Sequence, residues 1–320
     1  VHARALCNSF EISGAATVKR LAFLRHFVRP TGGNFTLRAF FSHARAYAGC
    51  ETRIAFTPES RNAGVGFWGT ELGGAECSFD EALGADLVAV NGKDWRLLPA
   101  DFPRPVIHFV QHLGYPADPT LRGYLARPAR RICVSEAVRA SIAPHANGPL
   151  WVVPNAVDDS LFSPAGSRLA GSVLIAGVKQ PGLARSIAAL LPRATVLTEW
   201  ISREELAARM RAHDFFVGLP SAEEGFYLPA LEAMGCGCAV ICADARGNAG
   251  HCIAEQTCLQ PQWGDAEDHL RCIQLLLDRP DLRERIRSNG LAMAARHTPA
   301  AQREGFHAVL DSIFGACTAK

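Results

Sequence analysis

Glu224 and Glu232 stand on either side of a largely apolar stretch within SAEEGFYLPALEAMGCG, residues 221–237. A carboxylate accepts hydrogen bonds from two neighbouring hydroxyls, so each acid suits a ribose or hexose diol. The residues between them read as a turn followed by a helix. Pro229 fits the first helical turn, where its missing N–H costs nothing. Gly235 and Gly237 end the helix before AVICAD (239–244) resumes as a strand. DFFVGLP (214–220) reads as the strand before the turn. The helix then starts at the C-terminal end of a parallel strand, where open α/β sheets bind ligands. Free N–H groups near Gly225–Leu228 favour an anion, most naturally a phosphate. A phosphate site flanked by two diol acceptors is what a nucleotide-sugar presents. On residue types alone, a helix-entry charge at Glu224 and a surface acid at Glu232 explain the pattern equally well.

The elements that must position these acids follow from hydrophobic periodicity. RLAFLRHF (20–27), TRIAFT (52–57), DLVAVN (86–91), PVIHFV (105–110) and RRICVS (130–135) read as buried strands, most of them separated by helical patterns such as NFTLRAFFSHARAYAG from 34. That alternation predicts a parallel sheet covered by helices. A linker falls around 156–171. The rhythm then restarts with SVLIAG (172–177), SREELAARMRAH and DFFVGLP, and the chain ends in three helical patterns. The glycine-richer stretch from Pro58 to Cys77 is expected to be irregular, a lid or an acceptor loop.

Bulk properties narrow the function classes. A length of 320 residues suits two domains, and 48% hydrophobic with 20% charged residues is a globular profile. The formal charge of +2 argues against nucleic acid as a partner. No apolar run reaches the ~18 residues of a membrane span, and the opening VHARALCNSFEISG lacks a signal-peptide core. The eleven cysteines are odd in number, and several, such as Cys133 and Cys242, sit in apolar runs. They read as reduced core residues in a cytoplasmic protein. Cys236, Cys238, Cys242 and Cys252 with His251 lack C-x2-C spacing, there is no D-x-D triplet, and no metal or other cofactor is expected.

The segment EGFYLPALEAMGCGCAVICAD resembles the E-x7-E region of retaining glycosyltransferases of the GT-B fold, family 4 type, whose usual form is P-S-x-x-E-G-F-G-L-P-x-L-E-A-M-A-x-G. Pro220, Ser221, Glu224, Gly225, Phe226, Leu228, Pro229, Leu231, Glu232, Ala233, Met234 and Gly237 match in register. ICVSEAVRASI (132–142), VVPNAVDDSLFSP (152–164) and RPTGGNFTLRAFF, with its glycine loop at Gly32 and Gly33, are similar to further family segments. PVIHFVQHLGYP has a looser likeness to enzymes of bacterial surface polysaccharides, including rhamnose transferases. The resemblance implies an α/β, GT-B fold of two Rossmann-like doubly wound domains facing a cleft. It places an N-terminal extension at 1–18, an acceptor domain at 19–165, a donor domain at 166–299, and a last helix, 300–320, returning toward the first domain. It assigns Glu224 to the donor sugar and Glu232 to the ribose. Gly225, Phe226, Tyr227 and Leu228 fall at the diphosphate.

Some positions depart from the family pattern. Where an arginine and a lysine usually follow the first donor-domain strand, the chain reads AGVKQPGLAR, with Val178 in the arginine position. Lys179 is the best substitute and Arg185 the second. The usual G-G-x-x-E becomes ARGNAGHC, which keeps Gly247 and puts His251 near the place of the acid. The family's strand-tip histidine is not reproduced in DLVAVNGKDW, which leaves His112 as the candidate; His108 reads as a core histidine. Trp68 and Trp95 are stacking candidates for an acceptor sugar, though tryptophans more often pack.

The reading is a metal-independent, retaining hexosyl-type transferase. It moves a sugar from a nucleoside-diphosphate donor to a hydroxyl of a saccharide or lipid-linked saccharide, in bacterial polysaccharide or glycoconjugate assembly. Membrane contact is expected to be peripheral at most, through the basic cluster Arg122, Arg127, Arg130 and Arg131. Rival readings are a glycoside hydrolase using the two acids, a nucleotide-sugar epimerase on the same fold, and a catalytically weak binding module.

Overall fold

Two all-parallel sheets frame the computed structural model, which describes residues 18–315. Apart from Val18, the expected N-terminal extension lies outside the described residues. The first sheet holds β1 (Lys19–Arg25), β2 (Cys50–Phe56), β3 (Leu87–Asn91), β4 (Val106–Val110), β5 (Arg130–Cys133) and β6 (Leu150–Val152), in the order β2-β1-β3-β4-β5-β6. The second holds β7 (Leu169–Ala176), β8 (Thr195–Leu197), β9 (His213–Gly218) and β10 (Ala239–Cys242), in the order β10-β9-β7-β8. Helices α1 (Gly32–Arg45), α2 (Arg61–Trp68), α3 (Phe79–Leu83), α4 (Pro119–Leu125) and α5 (Glu136–Ile142) accompany the first sheet. With the second come α6 (Pro181–Leu190), α7 (Arg203–Ala212), α8 (Leu228–Gly235), α9 (Ala266–Asp278) and α10 (Pro280–Ala294). The chain closes with α11 (Pro299–Phe314).

Alternation along each strand builds a core on either face of the sheet. Leu21, Phe23 and Ile54 enter one apolar cluster, and Ala22, Leu24 and Ala55 enter another. Both faces being covered, β4 and β10 are buried along their whole length, which is why they read as unbroken apolar runs. Trp68 and Trp95 are each 1% exposed and belong to these cores, not to an acceptor site.

Helix α11 follows the second sheet in sequence but packs on the first. Phe306 meets Phe40 of α1 at 5.0 Å between ring centres, and Tyr47 donates to Asp311 Oδ1 at 2.6 Å. The chain passes between the sheets before β7 and again before α11, and the two passages touch. The Val157 amide donates to the His297 carbonyl at 2.7 Å, and Gln302 Nε2 to the Pro154 carbonyl at 2.9 Å.

Two expectations need correction. Residues 58–77 are not irregular: short 3-10 turns at Pro58–Ser60 and Gly69–Leu72 flank α2. Gly64 and Gly66 lower helix propensity there and hid the helix. Gly64 is required, because a Cβ would lie 2.5 Å from the Phe56 ring. Part of the basic cluster is also not a free patch, although Arg122 is exposed. Arg131 is fully buried and donates to the carbonyls of Tyr124, Leu125, Arg127, Ala129 and Asn147. Arg127 lies over the Trp95 ring at 4.5 Å.

Candidate functional site

The turn between β9 and α8 carries the site. Pro229 lies in the first turn of α8, and Gly237, just beyond the helix, adopts a φ of +78° that favours glycine. Seven of the eight α8 residues are buried, so the helix packs deeply and the loop before it, 221–227, faces the cleft. The Leu228 amide is already bonded to the Phe226 carbonyl at 2.8 Å, so it is not among the free N–H groups expected at the helix entry.

Glu224 and Lys179 come together across this entry. Lys179 Nζ forms a close ion pair with Glu224 Oε2, and Ser221 Oγ lies 3.4 Å from the same oxygen. The Lys179 ammonium also sits 5.8 Å from the centre of the Tyr227 ring. Gln180, next in sequence, donates to the Pro220 carbonyl at 2.5 Å and ties the two loops. Val178, Lys179, Trp200, Tyr227 and Pro229 line a narrow apolar slot at the ends of β7 and β9. Arg185, exposed on α6, is not part of that lining.

His112 reaches the same place from the first domain. It forms an antiparallel bridge with Glu224, and the Leu113 amide donates to the Glu223 carbonyl at 3.0 Å. Burial holds the His112 imidazole below its ordinary pKa, against the pull of Glu223, Asp118 and Glu224. Its Nδ1 accepts from the Gly114 amide at 3.2 Å. His108 is fully buried against Trp95 and Tyr115, as a core histidine.

Glycines make this approach of backbones possible. A Cβ on Gly225 would strike the Gln111 carbonyl and come within 2.8 Å of His112 Cα. A Cβ on Gly247 would strike the Glu224 carbonyl and come within 2.7 Å of Gly225 Cα. The loop carrying Gly247 is pinned by Asn248, whose Oδ1 accepts from the Ala245 amide at 3.1 Å. Arg246 in that loop has a φ of +60°, rare for a side-chain-bearing residue. Gly32 and Gly33 open α1, with Thr31 as N-cap, and Gln111 Nε2 donates to the Gly33 carbonyl at 3.1 Å.

Glu232 is placed differently from Glu224. It is 2% exposed, and its Oε1 lies 2.8 Å from Arg203 Nη1 in an ion pair without good hydrogen-bond alignment. Burial raises its pKa above the usual carboxylate value, while Arg203 opposes the rise. Arg203 is itself held between the Phe35 and Phe162 rings, at 5.0 and 4.8 Å. Neither Arg203 nor Gln111 stands out in the sequence; Arg203 reads as an ordinary residue at the start of a charged helix.

His251 is buried, packs against Phe226 with tilted ring centres 4.6 Å apart, and its Nε2 lies 3.2 Å from the Tyr227 carbonyl. Burial first, with His297 adding, lowers its pKa to about 3, so the ring is neutral and braces the loop. Phe226, Tyr227 and Leu228 are all buried, and burial pushes the Tyr227 phenol well up. Among the described residues, no group of three or more His, Cys, Asp or Glu could hold a metal ion, and every cysteine is free. No described helix is long and apolar enough to cross a membrane.

Comparison with known proteins bears on this geometry. Residues 171–293 match the family model for glycosyl transferases group 1. This group 1 segment holds Lys179, Glu224, Glu232 and Gly247 together. Curated proteins gave no match to the sequence. Among solved structures, sucrose-phosphate synthase from Thermosynechococcus elongatus is similar at a TM-score of 0.74 and 18% identity, covering 92% of this chain and 99% of its own. HepE of Anabaena, in complex with UDP and glucose, is similar at 0.74 and 15%, covering 92% and 100%. WaaG, a glycosyltransferase involved in lipopolysaccharide biosynthesis, is similar at 0.63 and 16%, with 92% and 100% covered. The fold is GT-B. With the group 1 match, it supports a GT-B glycosyltransferase.

Proposed function

We propose that the protein is a retaining glycosyltransferase of the family 4 type, transferring a hexosyl-type unit from a nucleoside-diphosphate sugar to a hydroxyl without a metal ion. The observation that carries this reading is the pairing of Lys179 with Glu224 at the entry of a buried helix within the group 1 segment, where the main chain of His112 is bridged to that of Glu224. The diphosphate is proposed to lie at Gly225–Tyr227 and Gly247, with Lys179 offsetting the charge that grows on the leaving phosphate. Glu224 would then hold donor-sugar hydroxyls. Glu232 would take the ribose diol through the oxygen not facing Arg203. The tight backbone contact of Gly225 with Gln111 and His112 supports a water-poor cleft, which limits donor hydrolysis. The likeness of the E-x7-E segment supports retention, the departing phosphate oxygen taking the acceptor proton on the same face. UDP and UDP-glucose occupy HepE, which makes them the first donors to try. A role in bacterial polysaccharide or glycoconjugate assembly, in the cytoplasm or at the inner membrane face, belongs to the same proposal.

A nucleotide panel followed by thermal shift tests it. A nucleotide at 100 times its Kd adds about 2.7 kcal/mol of stability. Product anomers read by NMR decide retention. Transfer that survives both Glu224→Ala and Lys179→Ala at full rate sinks the site assignment.

A further inference from the structure

We infer that the acceptor is a phosphorylated saccharide whose phosphate sits in a basic cavity of the first domain, an inference that rests on the transferase reading above. The cavity measures about 480 Å³ and lies where β1, β3 and β4 end, with His112 on its wall. Three of its lining residues are permanent cations. Arg25 ends β1, and Lys93 and Arg96 lie on the turn Gly92–Leu97 that follows β3. One acid lines the cavity, Asp94, and it is already engaged. Asp94 forms a close ion pair with Arg25, and its Oδ1 accepts from the His26 amide at 3.2 Å. The charges of Lys93 and Arg96 are therefore left over. Lys93 has a loose contact with Asp118 at 3.8 Å, at a site open to water.

Two further features point the same way. Helix α1 opens onto the cavity through Thr31, Gly33 and Asn34, and it has no acidic residue in its first turn. The positive end of a 14-residue helix thus faces the space with no acid beside it, its Asn34 amide already capped by Thr31. Arg25 is 3% exposed, lines the same cavity, and its Nε has no hydrogen-bond partner. With Nη1 held by Asp94 and Nη2 donating to Asn34 Oδ1 at 2.6 Å, the guanidinium is a fixed charge in the cavity wall, and it adds to the field that favours an anionic ligand. A neutral sugar would leave the surplus charge unanswered. A carboxylate offers two oxygens, whereas a phosphomonoester offers three and about two charges, enough for the helix amides, Lys93 and Arg96 together. Asn91 and Gln111 are joined by a hydrogen bond from Gln111 Nε2 to Asn91 Oδ1 at 3.0 Å, which leaves Asn91 Nδ2 and Gln111 Oε1 for sugar hydroxyls.

Calorimetric titration of the full chain, saturated with the nucleotide that binds it, tests this with glucose 6-phosphate, glucose 1-phosphate, glucuronate and glucose. A phosphate ester is expected to bind, and Lys93→Gln and Arg96→Gln are each expected to weaken it roughly 10-fold, the scale of one charge-assisted hydrogen bond. Both side chains are exposed, so the variants are expected to fold, and nucleotide affinity, measured separately, should not move. Glucose or glucuronate binding as tightly as the phosphates overturns the inference. So do phosphate affinities unchanged in both variants while nucleotide still binds. A chain that binds no nucleotide at all removes the transferase reading first, and this inference with it.

Discussion

Replacing Arg203 by Met removes the partner of Glu232 and leaves its carboxylate in a site that is 2% exposed. At the observed separation of 2.8 Å, the Coulomb attraction is about 6 kcal/mol at an effective dielectric of ~20. Desolvation of both groups offsets part of that, and breaking a buried pair costs about 3–5 kcal/mol in practice. Arg203→Met is therefore expected to lower the unfolding free energy in urea by roughly that amount at pH 8. The loss should also depend on pH in a defined direction. Burial already raises the Glu232 pKa, and Asp158 adds to the rise. Without Arg203 the folded pKa climbs further above the unfolded value. Between those two values the folded state binds more protons than the unfolded one. The variant must then lose stability as pH rises through the folded pKa and regain it toward acid. Arg203→Met combined with Glu232→Gln removes the buried charge and should recover most of the loss. A deficit in Arg203→Met that is small, or equal at pH 5 and pH 8, refutes the ion-pair account. It would leave Arg203 as a packing element between Phe35 and Phe162.

Gly225→Ala should destabilise by about 1–3 kcal/mol through overpacking against the Gln111 backbone and cut transfer by roughly 100-fold, because the loop shifts on the scale of 1 Å; unchanged melting and kcat would show that the domains do not meet there. Arg131→Lys should cost about 3–5 kcal/mol, since an ammonium cannot reach the five carbonyls that the guanidinium fork serves, and chemical denaturation reads the loss. His251, with its pKa lowered to about 3, binds fewer protons folded than unfolded from there up to its ordinary value near 6.5. Stability should thus fall as pH drops through that window, by up to about 4–5 kcal/mol from this group. His251→Gln should flatten that slope, and a slope unchanged in the variant would count against it.

Most of the framework was legible because buried parallel strands carry their own signal, as in PVIHFV and AVICAD. The E-x7-E segment was legible too, its proline and glycines marking where α8 begins and ends. Legibility failed where tertiary contacts override local preference. Helix α2 was hidden by Gly64, a residue present for the sake of the Phe56 ring. Strand β6 is three residues long, too short for alternation to register. Arg203 could not be paired with Glu232 from sequence, since the pairing depends on how α7 packs against α8. The apolar character of LPALEAMG did hint that Glu232 would be buried. The departure at Val178 was visible, and Lys179, its neighbour, is the cation that reaches Glu224.

The two passages of the chain between the sheets are bonded to each other at Val157–His297 and Pro154–Gln302. A body joined to another at one point can swing and twist freely; joined at two neighbouring points, it keeps a single easy rotation, about the line through them. Opening of the cleft is thereby reduced to one hinge-like coordinate. Rotation about that line can carry Gly225 away from Gln111 and back along one path only.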